Sequence, residues 1–220
     1  MQAKAKTQYF MRMINLFKRK KNLDKKQEKA VVCVENLEQI RLHPYRYLGR
    51  ICGSSGDDAI YVLMDEVLAN AFGEVSIGFA TEIKVTVDYE QGRVTIEDNG
   101  HGFPLEKLVE IVTKSSFGGI GDYCPKSECE LGIKEVNAMC SDFWVYSYRD
   151  GRSLGVRFNE GVLNHFVPED TCLSGSGTEI TFEPDRKLFG QYQFMEKHVL
   201  ALIDKYRQLG KDFTISYNAE

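Results

Sequence analysis

The sequence predicts an α/β sandwich, a mixed and mostly antiparallel sheet with helices on one face. Three observations predict it. Apolar residues recur at helical spacing from Ile60 to Ala71. Two-residue alternation recurs in several short runs, most of them joined by tight turns, which is how antiparallel strands arrive. Helical and strand patterns interleave, with no internal repeat and no linker splitting residues 31–220. The 220 residues suffice for one domain with a substantial core.

Residues 1–30 read as a basic N-terminal arm. They hold ten Lys or Arg against two Asp or Glu, a balance of +8 ahead of a body at −12. The arm reads as a solvated tail before a nucleic-acid or membrane-surface contact. "ENLEQIRL" is a short helix stopped by Pro44, and "GRICGSSGDD" is a glycine- and serine-rich loop. A long helix starts after Asp57 or Asp58 as N-cap, with Ile60, Leu63, Met64, Val67, Leu68 and Ala71 as its core stripe. A hairpin follows. Ile83, Val85 and Val87 alternate, "YEQG" turns, and a second strand carries Val94 and Ile96.

"PLEKLVEIV" is a helical pattern, and residues 113–132 form a long loop. "IKEVNAMC" is a second helical start. Then come the strands "FWVYSYR", "SLGVRF" and "TEITFEPD", with turns at Asp150-Gly151 and Glu160-Gly161. A last helix is expected from Gln191 to Leu209, stopped by Gly210, before a final strand "DFTISY".

The six cysteines form no C-x-x-C pair. Scattered cysteines behind no signal-peptide pattern fit the reducing cytoplasm, and no apolar run approaches the ~18 residues of a membrane span.

Two strands point polar groups at the core. In "VTIEDNGHGFP" the two-residue period puts Asp98 beside Val94 and Ile96, and Gly100, Gly102 and Pro104 follow. An unpartnered buried carboxylate is costly, so a protein donor or a ligand must meet it. In "GSGTEITFEP" the same period turns Thr178 inward with Ile180 and Phe182. Asp98 and Thr178 suit each other, or jointly the donor–acceptor edge of a planar base. On the long helix Glu66, Asn70 and Glu74 share a face at i, i+4 and i+8. A carboxylate suits activation of water and an amide oxygen suits a hard cation such as Mg²⁺, although a solvated helix face also has this spacing.

The order of these motifs resembles the GHKL ATPase superfamily, which includes gyrase B, sensor histidine kinases and the ninety-kilodalton heat-shock chaperone. Within it the chain is most similar to the ATPase domain of gyrase B and topoisomerase IV. "LMDEVLANAFGEVSIGFATEIKVTV" resembles that family's helix and strand without a gap, and "IEDNGHGFP" resembles its D-x-G-x-G loop. "VENLEQIRLHPYRYLGR", "SYRDGR", "GSGTEITFEPDRKLF" and "ALIDKYRQLGKDFTISY" resemble further family segments in the same order. Residues 31–220 would then be the ATP-binding domain.

The resemblance implies roles. Glu66 would be the general base that activates water, Asn70 the ligand of Mg²⁺, and Glu74 a partner carboxylate. Asp98 would accept from the adenine amine, with Thr178 sharing a bridging water. Gly100, Gly102 and Pro104 would shape the pocket floor, Arg149 would stand at its rim, and Tyr123 would match the lid tyrosine. The implied ligands are ATP and Mg²⁺. DNA would be met only through other topoisomerase domains or a partner subunit, and a homodimer would form on ATP binding.

Departures from the family pattern bear on turnover. Where the family has "SGGLHGVG", this chain has "KSECELGIKE", and only Gly132 remains of the glycine pattern. Backbone N–H groups of such glycines bind phosphate, and Glu128 and Glu130 would repel it. Either Lys126 or Lys134 would compensate by reaching a phosphate. His101 replaces an arginine and Ala69 an aspartate. The sequence ends where the family's ATPase subdomain ends, so the transducer lysine is not expected here. Slow hydrolysis within a gyrase-B-like type II topoisomerase is expected. The alternative is a degenerate nucleotide-binding regulatory module with little or no turnover.

Overall fold

A computed structural model describes residues 37–48, 59–114, 132–170, 175–210 and 212–220. The basic arm, the loop before the long helix with its N-cap, and residues 115–131 of the long loop lie outside the described residues.

Seven strands form one sheet in the order β5-β4-β3-β6-β2-β1-β7. They are β1 (Glu82–Asp88), β2 (Arg93–Asp98), β3 (Cys140–Arg149), β4 (Arg152–Asn159), β5 (Val162–Asp170), β6 (Gly177–Pro184) and β7 (Thr214–Ala219). Every pairing is antiparallel except β1 with β7. Three helices, α1 (Ala59–Ser76), α2 (Ile133–Met139) and α3 (Glu196–Arg207), pack on the sheet. The predicted mixed sheet with a helical layer is the observed fold.

The alternation of the strands decides which face is the core. Val94 and Ile96, Phe143 and Val145, Val156 and Phe158, and Ile180 and Phe182 are all buried. Leu63, Met64, Val67 and Leu68 of α1 meet them from the helical side. Thirteen of the eighteen residues of α1 are buried, so it is a core helix and not a surface one with a single apolar stripe.

Three elements differ from expectation. The "PLEKLVEIV" segment makes a 3₁₀ turn, Leu105–Lys107, and one α turn, Leu108–Ile111, in place of a full helix. Strand β5 gives little sequence signal, because Asn164 and His165 interrupt its apolar residues and Pro168 lies within it. It survives as a sheet edge, where a missing N–H is tolerated. The last helix starts at Glu196, not Gln191. A single turn, Arg186–Phe189, stops at Gly190, which has φ 66°. Tyr192 and Phe194 then enter the core two residues apart, an extended spacing and not a helical one. The Tyr192 hydroxyl lies 3.1 and 3.0 Å from the carbonyls of Gly92 and Pro184.

Helical residues 37–42 are fastened by Arg41. Its guanidinium donates to the Ala138 carbonyl at 2.8 Å, to Glu160 at 3.0 Å, and to Asp185. Asp185 is buried, and it also caps the Arg186–Phe189 turn by accepting from Lys187 N at 2.9 Å. Asp185→Ala removes the cap and one partner of a largely buried cation together. We expect a loss of about 3 kcal/mol, read as a lowered urea midpoint.

Candidate functional site

Strands β2 and β6 pair with Asp98 opposite Thr178. The inward alternation of both strands therefore delivers a carboxylate and a hydroxyl to one end of the core face. Thr178 is buried. Asp98 Oδ1 accepts from the Gly100 N–H at 2.9 Å, and the Thr178 backbone N–H lies near enough to favour its charge. Burial nevertheless dominates. It pushes the Asp98 carboxyl up to about 7, and the Glu74 charge adds to the rise while the two N–H groups oppose it.

Glu74 comes from the C-terminal end of α1. It is buried, at 6% exposure, and its Oε2 accepts from the His101 N–H at 2.9 Å. The His101 ring lies beside it, with Nδ1 at 3.7 Å, and packs edge-on against Phe79. Gly100 makes this grip possible, since a Cβ there would fall 2.6 Å from Glu74 Oε2. Glu66, two turns earlier, is also buried at 7%, and Asn70 between them is partly exposed. The burial of both glutamates removes the reading of this face as a solvated one.

The loop after β2 is wedged against β3 and β6. Gly102 has φ 72°, and a Cβ there would fall 2.4 Å from the Tyr148 carbonyl and 2.7 Å from that of Gly177. Arg149 Nη1 donates to the Gly102 carbonyl at 2.9 Å, which fastens the arginine to the loop. Pro104 then starts the 3₁₀ turn. Gly132, extended at φ −148°, caps α2, and its carbonyl accepts from Glu135 N at 2.9 Å. Tyr123, Lys126, Glu128 and Glu130 lie outside the described residues. Lys134 is buried, with its ammonium 3.4 Å from Glu135 Oε1.

Sequence reasoning missed Ser147. It is fully buried, lies opposite Thr178 on β3, and donates to the Phe103 carbonyl at 2.8 Å. The signal was present, since Ser147 continues the inward alternation of Phe143 and Val145 as Thr178 does that of Ile180.

Among the described residues no three His, Cys, Asp or Glu side chains gather as a metal site. Among the same residues no helix is long and apolar enough to cross a membrane.

Residues 56–188 match the family described as histidine kinase-, DNA gyrase B-, and HSP90-like ATPases. This chain belongs to that family. It is 34% identical over 196 residues to the B-type subunit of DNA topoisomerase 4 from Borreliella burgdorferi, covering 87% of this chain and 32% of the relative. It is 31% identical over 179 residues to DNA gyrase B from Thermus thermophilus, covering 75% of this chain and 27% of the relative. The chain thus spans about a third of the curated relatives it matches. The fold resembles the 43K ATPase domain of Thermus thermophilus gyrase B, solved in complex with an aminocoumarin. The TM-score is 0.71 at 26% identity, covering 86% of this chain and 50% of that one. The open seven-stranded sheet is that family's ATPase fold, and the match takes in α1, the β1–β2 hairpin, α2 and β6.

The raised Asp98 carboxyl links stability to pH. Its folded value of about 7 lies above that of an unfolded carboxylate, so proton uptake favours the folded state. That contribution is complete below about pH 4 and is lost as pH rises through 7. Asp98→Asn should therefore melt higher than the unliganded wild type at pH 8, with the difference closing towards about pH 4. Thermal melts across this range check the sign.

Proposed function

We propose that this domain binds Mg-ATP and hydrolyses it slowly. The observation that carries the reading is Asp98, an inward acceptor held by the Gly100 N–H beside a buried hydroxyl. An adenine presents an exocyclic amine to such an acceptor. A guanine presents a carbonyl at the same place, and two acceptors repel. Thr178 completes the polar edge, either directly or through a shared water.

Glu66 takes the proton of the attacking water. Its burial on α1, one turn from Asn70, supports that role, because the carboxylate stands beside the amide proposed for Mg²⁺ and is shielded from bulk water. Asn70 would hold Mg²⁺, which when bound offsets the phosphate charge. Glu74, gripped by the His101 N–H, fixes the loop that floors the pocket. Gly100, Gly102 and Pro104 keep that floor low, Arg149 closes its rim, and Gly132 starts the helix facing the phosphates. Tyr123 matches the lid tyrosine of the family by resemblance.

The wider role is that of an ATPase part of a gyrase-B-like type II topoisomerase in the cytoplasm. It would meet DNA only through other topoisomerase domains or a partner subunit, and it would dimerise on ATP binding. Glu128 and Glu130, in the segment where the family has glycines, favour a second reading. In it the chain is a nucleotide-binding regulatory module that turns over little.

Base selection is tested by calorimetry. ATP should bind and GTP should not, and Asp98→Ala should cost ~1.5–3 kcal/mol of ATP binding. Equal binding of the two nucleotides removes the adenine reading.

Hydrolysis is tested by a single-turnover assay with labelled ATP at high protein concentration. Glu66→Ala should retain ATP binding and lose hydrolysis by ~10²–10⁴. Identical traces for wild type and variant leave the regulatory module as the reading.

A further inference from the structure

The face of the sheet away from the helices carries a chemistry that nucleotide binding leaves unused. Each strand gives it every second residue. Across its middle run Lys84, Glu97, Glu179, Tyr146 and Gly155, one from each of five neighbouring strands. Along β3, Trp144, Tyr146 and Tyr148 stack as a ladder, with ring centroids 5.8 and 6.5 Å apart and planes within 8° and 14°. All three rings are partly exposed. Tyr146 lies across Gly155, where a Cβ would come within 2.5 Å of the ring.

One pairing in this row works against the fold. Glu97 and Glu179 are directly opposed carboxylates on antiparallel strands, and like charges in that position destabilise a sheet. Lys84 Nζ donates to Glu97 Oε1 at 2.7 Å. Among the described residues no ion pair reaches Glu179, whose carboxyl is pushed up by burial and by Glu97 while the Lys84 charge, already bonded to Glu97, opposes the rise. The Tyr146 and Tyr148 hydroxyls are raised by burial and then by the Glu179 charge, which puts all three groups in one electrostatic neighbourhood.

Two residues along the same ladder, the sheet completes this arrangement with a residue of its own. The Arg157 guanidinium sits over the Trp144 ring, 4.7 Å from its centroid. Asp142 grips it with two hydrogen bonds of 2.6 and 2.7 Å. An aromatic face and a carboxylate thus hold a guanidinium between them. Tyr146 and Glu179 repeat the aromatic and the carboxylate, and among the described residues no cation lies over Tyr146.

We propose that this open face docks an arginine-bearing segment of a protein partner, with a guanidinium seated between Tyr146 and Glu179. A planar cation gains from both the ring and the carboxylate. It also relieves the Glu97–Glu179 repulsion. Single-stranded nucleic acid would use the rings but bring phosphates to two carboxylates, so charge favours the cationic partner.

Trp144 is the single tryptophan of the chain and stands in the ladder, so its fluorescence reports on the face. The full chain is titrated with a decapeptide alternating arginine and glycine, with the same peptide carrying neutral citrulline, and with oligothymidylate. The arginine peptide should give a saturable change that weakens with salt, and the citrulline peptide and oligothymidylate should give none. Glu179→Gln and Tyr146→Leu should each weaken the arginine peptide roughly tenfold, and ATP affinity should stay unchanged. Glu179→Gln should melt no lower than wild type, because it removes a repulsion. Equal responses to arginine and citrulline, tighter binding of oligothymidylate, or undiminished peptide binding by Glu179→Gln would each overturn the proposal. So would a lowered melting temperature for Glu179→Gln, which would make the carboxylate a part of the fold.

Discussion

In the antiparallel pairing of β2 with β6, Asp98 lies opposite Thr178. Much of the site follows from that register. A slip of β2 by one residue against β6 would turn Asp98 to the outer face and bring Glu97 into the core. The slip is prevented locally by the hydrophobic set on the same strand, since Val94 and Ile96 would be expelled with it. β6 is held in turn by β3, which pairs with its other side and places Ser147 opposite Thr178. The core that stabilises the sheet and the polar end that serves the site are therefore set by one alignment.

The site sits on this core at a cost in stability. Glu66 and Glu74 are buried in a helix that is otherwise apolar through most of its length. Asp98 holds its charge with difficulty because burial outweighs its hydrogen bonds. Glu74 is compensated by the His101 N–H, and Asp98 only in part by the Gly100 N–H. Strain of this kind is common where a group must be ready for a ligand and not for its neighbours.

The long helix, the first hairpin, β3, β4 and β6 were legible because their apolar residues repeat at the period of the element they form. Strand β5 was not, because an edge strand needs no continuous apolar face and this one carries Asn164, His165 and Pro168. The start of the last helix was misread because Tyr192 and Phe194 are apolar at a spacing that suits a strap plugged into the core. Within the site, Asp98 and Thr178 were visible as polar residues on inward positions. Glu74 was only half visible, because helical spacing alone does not say whether a face is covered. What covers it is the loop at Gly100 and His101, a contact between residues 27 apart in sequence. Ser147 carried the same signal as Thr178, but no glycine motif beside it drew attention to the alternation.

The loop from Asn99 to Pro104 is anchored on every side. Asn99 Oδ1 accepts from the N–H groups of Thr81 and Glu82 at 2.8 and 2.9 Å, Glu74 holds His101, Arg149 holds the Gly102 carbonyl, and Ser147 holds that of Phe103. A loop held in this way has little conformational entropy left to lose when something settles on it. It is also a poor adapter. Any ligand settling there would meet a wall that does not yield, so its shape would be selected by stiffness as well as by hydrogen-bond pattern. Mobility needed for entry or release of a ligand must then come from segments other than this one.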